Sequence, residues 1–390
     1  MAPELKCQPS RFEGLYVAAS GSLFSFAMGL SAVAVPLFAL ESGFSGAEVG
    51  VLVALSACAQ LGIRTVMSAL MRRFPDKHFV SAAGLLMAAS CLVLLASAGW
   101  WAFALSQLAQ GAARGFVWTA AQTHAVRTSP SSVTALAQVN LSSGVGQIVG
   151  PFLAGPIIEH VSVAWALAAG ALPAALVVVP ASLLMRLEPL RPDRSKGARR
   201  GQRRGTGVGL ASWAGAAAGA WRAMMNSFVP IVLAGAGQSA SAIGMVAAVA
   251  NTTNIAGGAA AGRIHAGRLT SFLVAGIAVT GIGFAGFAAL AGHLVAAAVL
   301  LAVSGAGAGL LQTVGPALAS ETVRPEERGE ALATAGTYRA AALLAAPLVV
   351  SGLVTVVAAP VALLVLGAAM TAPAALAVRS RRDRLGSQHG

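Results

Sequence analysis

Charge is what this sequence has least of. Asp, Glu, Lys and Arg make up 10% of its 390 residues, while 57% are hydrophobic and mean hydropathy is +0.76. A soluble domain carries roughly 25% charged residues, so a water-facing surface of the ordinary kind is excluded. Cysteine is scarce too. Cys7, Cys58 and Cys91 are scattered without metal-type spacing, which argues against a zinc site and against a disulfide framework. No G-x-x-x-x-G-K-[ST] sequence occurs, so the chain has no nucleotide-hydrolysing loop of its own. Clustered Asp, a metal-ligand set or an activated nucleophile, which an intramembrane lipid enzyme would need, is also missing. The sequence therefore predicts neither an enzyme nor a cofactor or metal site.

What the chain does have is apolar length. Stretches of about 20 residues recur throughout, each able to cross a hydrocarbon core of roughly 30 Å. Backbone polar groups in lipid must be satisfied within the segment, which makes these runs helices. The expected spans fall at about 15–40, 48–71, 79–98, 101–126, 134–158, 162–184, 208–234, 241–262, 270–291, 294–320, 330–353 and 357–378. The fold class is thus an all-α membrane protein of twelve transmembrane helices, in two pseudo-symmetric six-helix bundles. The 45 glycines suit close packing between helices, and the run Gly305 to Gly309 reads as a packing face rather than a dinucleotide loop.

The net charge of +13 would suggest nucleic acid in a soluble protein, but its placement points elsewhere. Threading the chain back and forth puts Lys6, Arg11, Arg72, Arg73, Lys77, Arg127, the cluster Arg186 to Arg204, Arg263, Arg268, Arg324, Arg328 and the tail Arg379 to Arg384 on one side. The opposite loops hold Glu41, Glu48 and Glu159 and no Lys or Arg. This positive-inside pattern makes both termini cytoplasmic and the protein a multi-pass resident of the inner (plasma) membrane, its partners being lipid and a small solute rather than nucleic acid. The first apolar run is too long for a signal-peptide core and reads as a retained first helix.

Residues 186–209 break the apolar pattern with Arg, Lys, Gly, Pro and Asp, dividing the chain into halves 1–185 and 210–390. This linker is either a solvated tether that fixes topology or a contact for anionic lipid. The halves resemble each other. A shift of 194 residues lays Val35-Pro36 on Val229-Pro230, Gly43 on Gly237, Ser45 on Ser239 and Gly50 on Gly244. Shifts of 196 and 197 then pair Pro151 with Pro347 and Val126-Arg127 with Val323-Arg324. Two parallel membrane repeats suit a transporter that rocks around a midplane site.

In the fifth span Ser142, Gly146, Gly150 and Ala154 recur every four residues, and Pro151 beside them removes a backbone hydrogen bond. This stretch, Gly146 to Gly155, resembles the G-x-x-x-G-P-x-x-G-G motif of antiporters of the major facilitator superfamily, with Ala154 replacing one glycine. The resemblance covers nearly the whole chain. It implies an antiporter in which Gly146, Gly150, Pro151 and Gly155 form a gating hinge, although a packing seam alone also explains the glycines. The family's loop between helices 2 and 3, G-x-x-x-D-R-x-G-R-[KR], aligns with Ser68, Arg72, Arg73, Pro75, Asp76 and Lys77. Arg73 and Lys77 match, whereas Arg72 replaces the Asp and Pro75 the glycine. The second copy, Gly262 to Arg268, is eroded as well. These residues therefore either form a weakened charge latch or merely orient the loop.

Four cations fall within spans: Arg64, Arg114, Arg222 and Arg339. Arg64 and Arg339 lie about 10–14 Å from their basic helix ends, within reach of snorkelling. Arg114 and Arg222 sit near the midplane, where an arginine costs at least ~2.5–3.5 kcal/mol on insertion scales. Gln107, Gln110, Arg114, Trp118 and Gln122 share one face of the fourth span, and Arg222 and Asn226 one face of the seventh. The resemblance implies that helices 1, 4, 7 and 10 line a central cavity, bringing these residues and Gln312 to the solute. The alternative is structural, with both arginines bonded to neighbouring carbonyls. No Asp or Glu occupies the middle of any span. Guanidinium groups without buried carboxylates suit a substrate with negative charge or strong acceptors. The expected function is export of a small organic, anionic or amphipathic molecule by alternating access and proton antiport, from a monomer. Glu13, Glu321 and His124 are the candidate proton carriers. An uptake carrier for an organic anion and a transport-inactive receptor or scaffold are the rival readings.

Overall fold

The computed structural model describes residues 12–129, 132–189, 206–324 and 328–386. Lys6, Cys7, Arg11 and most of the basic linker, 190–205, lie outside the described residues. The first half contributes α1 (Glu13–Glu41), α2 (Gly46–Leu70), α3 (Asp76–Ala96), α4 (Trp100–Thr128), α5 (Ser132–His160), α6 (Val163–Leu176) and α7 (Val178–Leu183). The second contributes α8 (Thr206–Met225), α9 (Phe228–Gly235), α10 (Ala240–Ala261), α11 (Leu269–Ala289), α12 (Leu294–Glu321), α13 (Arg328–Val354) and α14 (Ala359–Gly386), with one 3-10 turn at Ala266–Arg268. No strand occurs among the described residues. Each expected span is met by helix, two of them by a broken pair.

The breaks have local causes. Pro230 has no N–H to give the carbonyl of Asn226, and Ser227 leaves helical geometry at φ −137°, ψ −83°. The helix therefore stops at Met225 and restarts at Phe228. The α6–α7 break at Val177 lies between Pro173 and Pro180. Among the described residues, eight helices are long and apolar enough to cross a membrane, and Ala359–Ala374 is a shorter apolar segment. α4, α8 and α10 are comparably long but fall outside that group, because they carry the Gln, Arg and Asn residues considered below.

The duplicated positions take duplicated roles. Gly43 and Gly237 are the two described glycines with positive φ, at 88° and 78°. Ser45 and Ser239 follow them as helix caps. The Ser45 hydroxyl accepts from Glu48 N at 3.3 Å and that of Ser239 from Ala242 N at 3.3 Å. The Glu48 carboxylate reaches back to Ser45 N at 2.8 Å, closing a capping box.

The chain forms two compact units. The first comprises 1–31, 58–150 and 164–196, and the second 32–57, 151–163 and 197–390. In the first unit, α5 meets α1 through glycine. A Cβ at Gly146 would come within 2.5 Å of Phe26 N and Ser22 O, and one at Gly150 within 2.5 Å of Phe26 O. Gly115 of α4 likewise faces Ile63 of α2, and Gly84 of α3 faces Ala174 O. The second unit repeats the scheme with its own helices. Gly215 and Gly219 of α8 meet Ala335 and Arg339 of α13, and Gly281 and Gly367 join α11 to α14. The Gly305 to Gly309 run is a packing face on two sides. Gly305 and Gly309 abut the carbonyls of Ala250 and Asn254 on α10, while Gly307 abuts Thr280 of α11. Without a hydrophobic force between helices in lipid, such approaches are where packing energy is gained.

A methyl at Gly309 would overlap the Asn254 carbonyl, whereas Gly352 of α13 has open space around it. Gly309→Ala should therefore destabilise the detergent-solubilised protein by about 1–3 kcal/mol or more, read as a lowered Tm. Gly352→Ala should leave Tm nearly unchanged, and equal shifts in the two variants would contradict the packing described.

Candidate functional site

The second unit holds a polar network at the level of the α8–α9 break. Arg222, in the last turn of α8, donates from Nη1 to Asn251 Oδ1 at 2.8 Å and from Nη2 to Asn254 Oδ1 at 3.1 Å. The two asparagines stand one turn apart on α10 and are 7% and 6% exposed. Their orientation is fixed from behind, because Asn251 Nδ2 donates to Ala247 O at 3.0 Å and Asn254 Nδ2 to Gly305 O at 3.2 Å. Both amide oxygens are thereby turned toward Arg222.

The network continues to α13. Gln312 of α12 donates to Asn254 Oδ1 at 3.4 Å and accepts from Arg339 Nη2 at 2.9 Å. Arg222 and Arg339 are thus joined through two carboxamides. The Arg222 guanidinium also lies 5.2 Å from the ring centroid of the buried Trp221. Carboxamides offer dipoles and no negative charge, so these bonds orient the guanidinium groups without neutralising them.

Sequence reasoning identifies Arg222 and Gln312 here. Arg339, within snorkelling reach of its helix end, instead turns its Nη2 to Gln312. Asn226 follows Arg222 by four residues but lies in the break, so α8 does not carry both on one face. Asn251 and Asn254 were missed, although two asparagines a turn apart inside an apolar span were a readable signal.

In the first unit, α4 carries the predicted glutamine and arginine stripe. Gln107 and Gln110 are 3% and 1% exposed, while Arg114, Trp118 and Gln122 are half-buried. Arg114 Nη2 donates to Gln110 Oε1 at 3.2 Å. That bond fixes the carboxamide and leaves Gln110 Nε2 buried without a hydrogen-bond partner. A buried orphan donor costs about 1–3 kcal/mol and is met by an acceptor when one is supplied. Trp118 packs against the apolar core of this unit, with Phe79, Met67 and Met87.

Gly146, Gly150, Pro151 and Gly155, the residues expected to form a hinge, lie where α5 passes from a segment of the first unit that ends at Gly150 to one of the second that begins at Pro151. Gly155 abuts Ala240 O, and the Pro151 carbonyl meets Gly244.

Two of the three proton-carrier candidates meet, together with a residue of the loop motif. His124 Nε2 lies 2.6 Å from Glu13 Oε1, and Nδ1 lies 3.1 Å from Asp76 Oδ1. Asp76, at the start of α3, is buried, while Ser68, Arg72 and Arg73 are exposed. Lys77 Nζ donates to the carbonyls of Ser182 and Leu184 at 3.3 Å each. Glu321 is exposed at the end of α12 in the second unit.

Apolar helices that pack by glycine in two repeated sets, with Gln, Asn and Arg side chains bonded between them, describe a polytopic membrane protein. The sequence profile of the Major Facilitator Superfamily matches residues 17–219, and the chain belongs to that family of transporters. Its fold is shared with a mutant of the nucleoside transporter NupG at a TM-score of 0.75 and 13% identity, over 94% of this chain and 99% of that one. A bacterial homologue of the human lysosomal transporter Spinster, inward-facing and unoccupied, superposes at 0.67 and 14% identity, over 89% and 83% of the two chains. No curated protein sequence matches.

If the carboxamides hold Arg222 as described, removing either side strands its partner. Arg222→Met and Asn254→Leu should each destabilise by about 1–3 kcal/mol. The double variant should lose less than their sum, with a coupling of about 0.5–3 kcal/mol. Strict additivity in thermal unfolding would show the bonds to be inconsequential.

Proposed function

We infer that this transporter exports a small organic solute bearing negative charge or strong hydrogen-bond acceptors, by alternating access and in exchange for protons. The observation that carries the reading is the Arg222–Asn254–Gln312–Arg339 network, two guanidinium groups inside membrane helices oriented by amide dipoles. An arginine at this depth is tolerated only against protein or a wet cavity. Arg222, Arg339 and Gln312 are half-buried, so part of each faces water in this reading rather than lipid.

The Arg114–Gln110 pair of α4 supplies a further cation and an orphan donor, both suited to an acceptor-rich solute. Gln107, Gln122 and Asn226 would complete the polar lining, and Trp118 an apolar flank. The switch of α5 between units at Gly150–Pro151 supports the assignment of Gly146 to Gly155 as the hinge. The concentration of Lys and Arg in alternate loops supports residence in the inner (plasma) membrane with both termini cytoplasmic. The working unit is a monomer. An uptake carrier for an organic anion would use the same arginines, and direction separates the two.

Inverted membrane vesicles energised by a proton gradient, offered matched anionic, neutral and cationic solutes, test the assignment. Gradient-driven accumulation of the anion should be abolished in Arg114→Ala and Arg222→Ala, with both variants still folded and inserted. Accumulation of cations alone, or unchanged rates in both variants, would defeat the proposed site.

A further inference from the structure

His124 lies at the basic end of α4, wholly buried, with a carboxylate oxygen on each side of its ring. Glu13 of α1 and Asp76 of α3 are buried as well, with side chains 4% and 0% exposed. Neutral imidazole has one N–H and one lone pair. A neutral ring between two carboxylates would therefore aim its lone pair at one of them. Nδ1 meets Asp76 Oδ1 at ion-pair distance without a hydrogen bond, so the attraction there is charge to charge and is present when the Glu13–His124–Asp76 trio holds one additional proton.

The surroundings balance the charge at that occupancy. Arg127 Nη1 lies 3.6 Å from Asp76 Oδ2, offsetting the second carboxylate. Asp76 Oδ1 also accepts from Lys77 N at 3.0 Å, while the Lys77 ammonium is engaged by the carbonyls of Ser182 and Leu184. From α5 the facing polar group is Gln138, which does not titrate. The groups in direct ionic contact, two carboxylates, one guanidinium and one imidazolium, sum to zero. Loss of the proton leaves those contacts with one carboxylate in excess, and the Lys77 ammonium is turned to carbonyls.

Three of these groups also grip the stretch that follows α7. Met185 N–H donates to Glu13 Oε1 at 2.8 Å, Arg127 Nη2 to Glu188 O at 2.6 Å, and Lys77 to Leu184 O. This stretch begins the basic connection between the halves. A cavity of about 160 Å³ between α1, α4 and α5 has Glu13, Thr128, Ser129 and Gln138 in its wall. It has room for several waters and gives Glu13 a route for proton exchange.

We propose that Glu13, His124 and Asp76 form a protonation site that fastens residues 184–188 to the first unit when loaded with one proton and releases them when empty. The proton leaves from the Glu13–His124 pair through the cavity to water, and returns the same way. Acid on the basic side closes the latch and alkali opens it.

Hydrogen–deuterium exchange of the purified full-length protein, from about pH 5.5 to about pH 9, reads the latch without reference to transport. Its outcome is therefore independent of the substrate assignment above. Protection at residues 184–188, normalised to the intrinsic exchange rate, should fall about tenfold or more on the alkaline side. In Glu13→Gln the neutral ring can donate Nδ1–H to Asp76 and accept from the Gln amide, while the Gln oxygen still accepts from Met185 N–H. That variant should stay protected at alkaline pH, as should Asp76→Asn, whereas His124→Ala should be unprotected throughout. Protection in the wild-type protein that does not change with pH overturns the proposal even if every variant fails to fold, and so does alkaline release in Glu13→Gln equal to the wild type.

Discussion

The constraint on which the rest depends is that a polar group inside a bilayer must find its partner within the protein. Water cannot stand in for it, so each backbone amide closes into a helix and a buried polar side chain left without a neighbour, such as Gln110 Nε2, is costly. The apolar runs become helices for this reason. For the same reason α4, α8 and α10, with their Gln, Arg and Asn residues, fall outside the eight most apolar helices, while Gln312 and Arg339 are single residues of that kind on two of those eight. A segment that retains such groups at midspan has a use for them, because the burden of insertion falls on it with no compensating gain in packing.

Glycine is the second consequence. Helices in lipid gain by contact area rather than by expelling water, and area grows when backbones touch. The first half brings its first and fifth spans together at Gly146 and Gly150, and the second half its seventh and eleventh at Gly215 and Gly219. The residues are not superimposable in sequence, since the glycine moves from α5 to α8. The contact is preserved while its donor changes. This explains why the internal repeat is faint to the eye beyond the turns, where Gly43 and Gly237 must both adopt positive φ.

The all-helical membrane fold and the approximate places of its spans were legible because apolar length is a coarse signal that depends on no partner. The α8–α9 break was partly legible, since Pro230 implies a freed carbonyl at Asn226. The fate of Arg339 was not, because a long side chain can reach either the helix end or a neighbour, and only the position of Gln312 decides. In sequence, Asp76 is part of a degraded loop motif. Folding makes it the buried partner of His124, a pairing 48 residues apart that helical spacing cannot announce. Glu13 and His124 stand out separately in the sequence, each as a candidate proton carrier at its own helix end. Their junction depends on how α1, α3 and α4 converge, which is a property of packing and not of any one segment.

The two polar networks differ in a way that divides their work. Around His124 the cations face carboxylates, so charge is balanced and the balance depends on a proton. Around Arg222 the guanidinium groups face amides, which orient but cannot neutralise, and no amide titrates in the physiological range. The first network can change state with pH while contributing little permanent field. The hydrogen bonds described around Arg222 are made by groups that do not titrate in that range, so they hold on either side of the pH at which the first network would change. On the proposed export function, proton response and solute recognition fall to different residues.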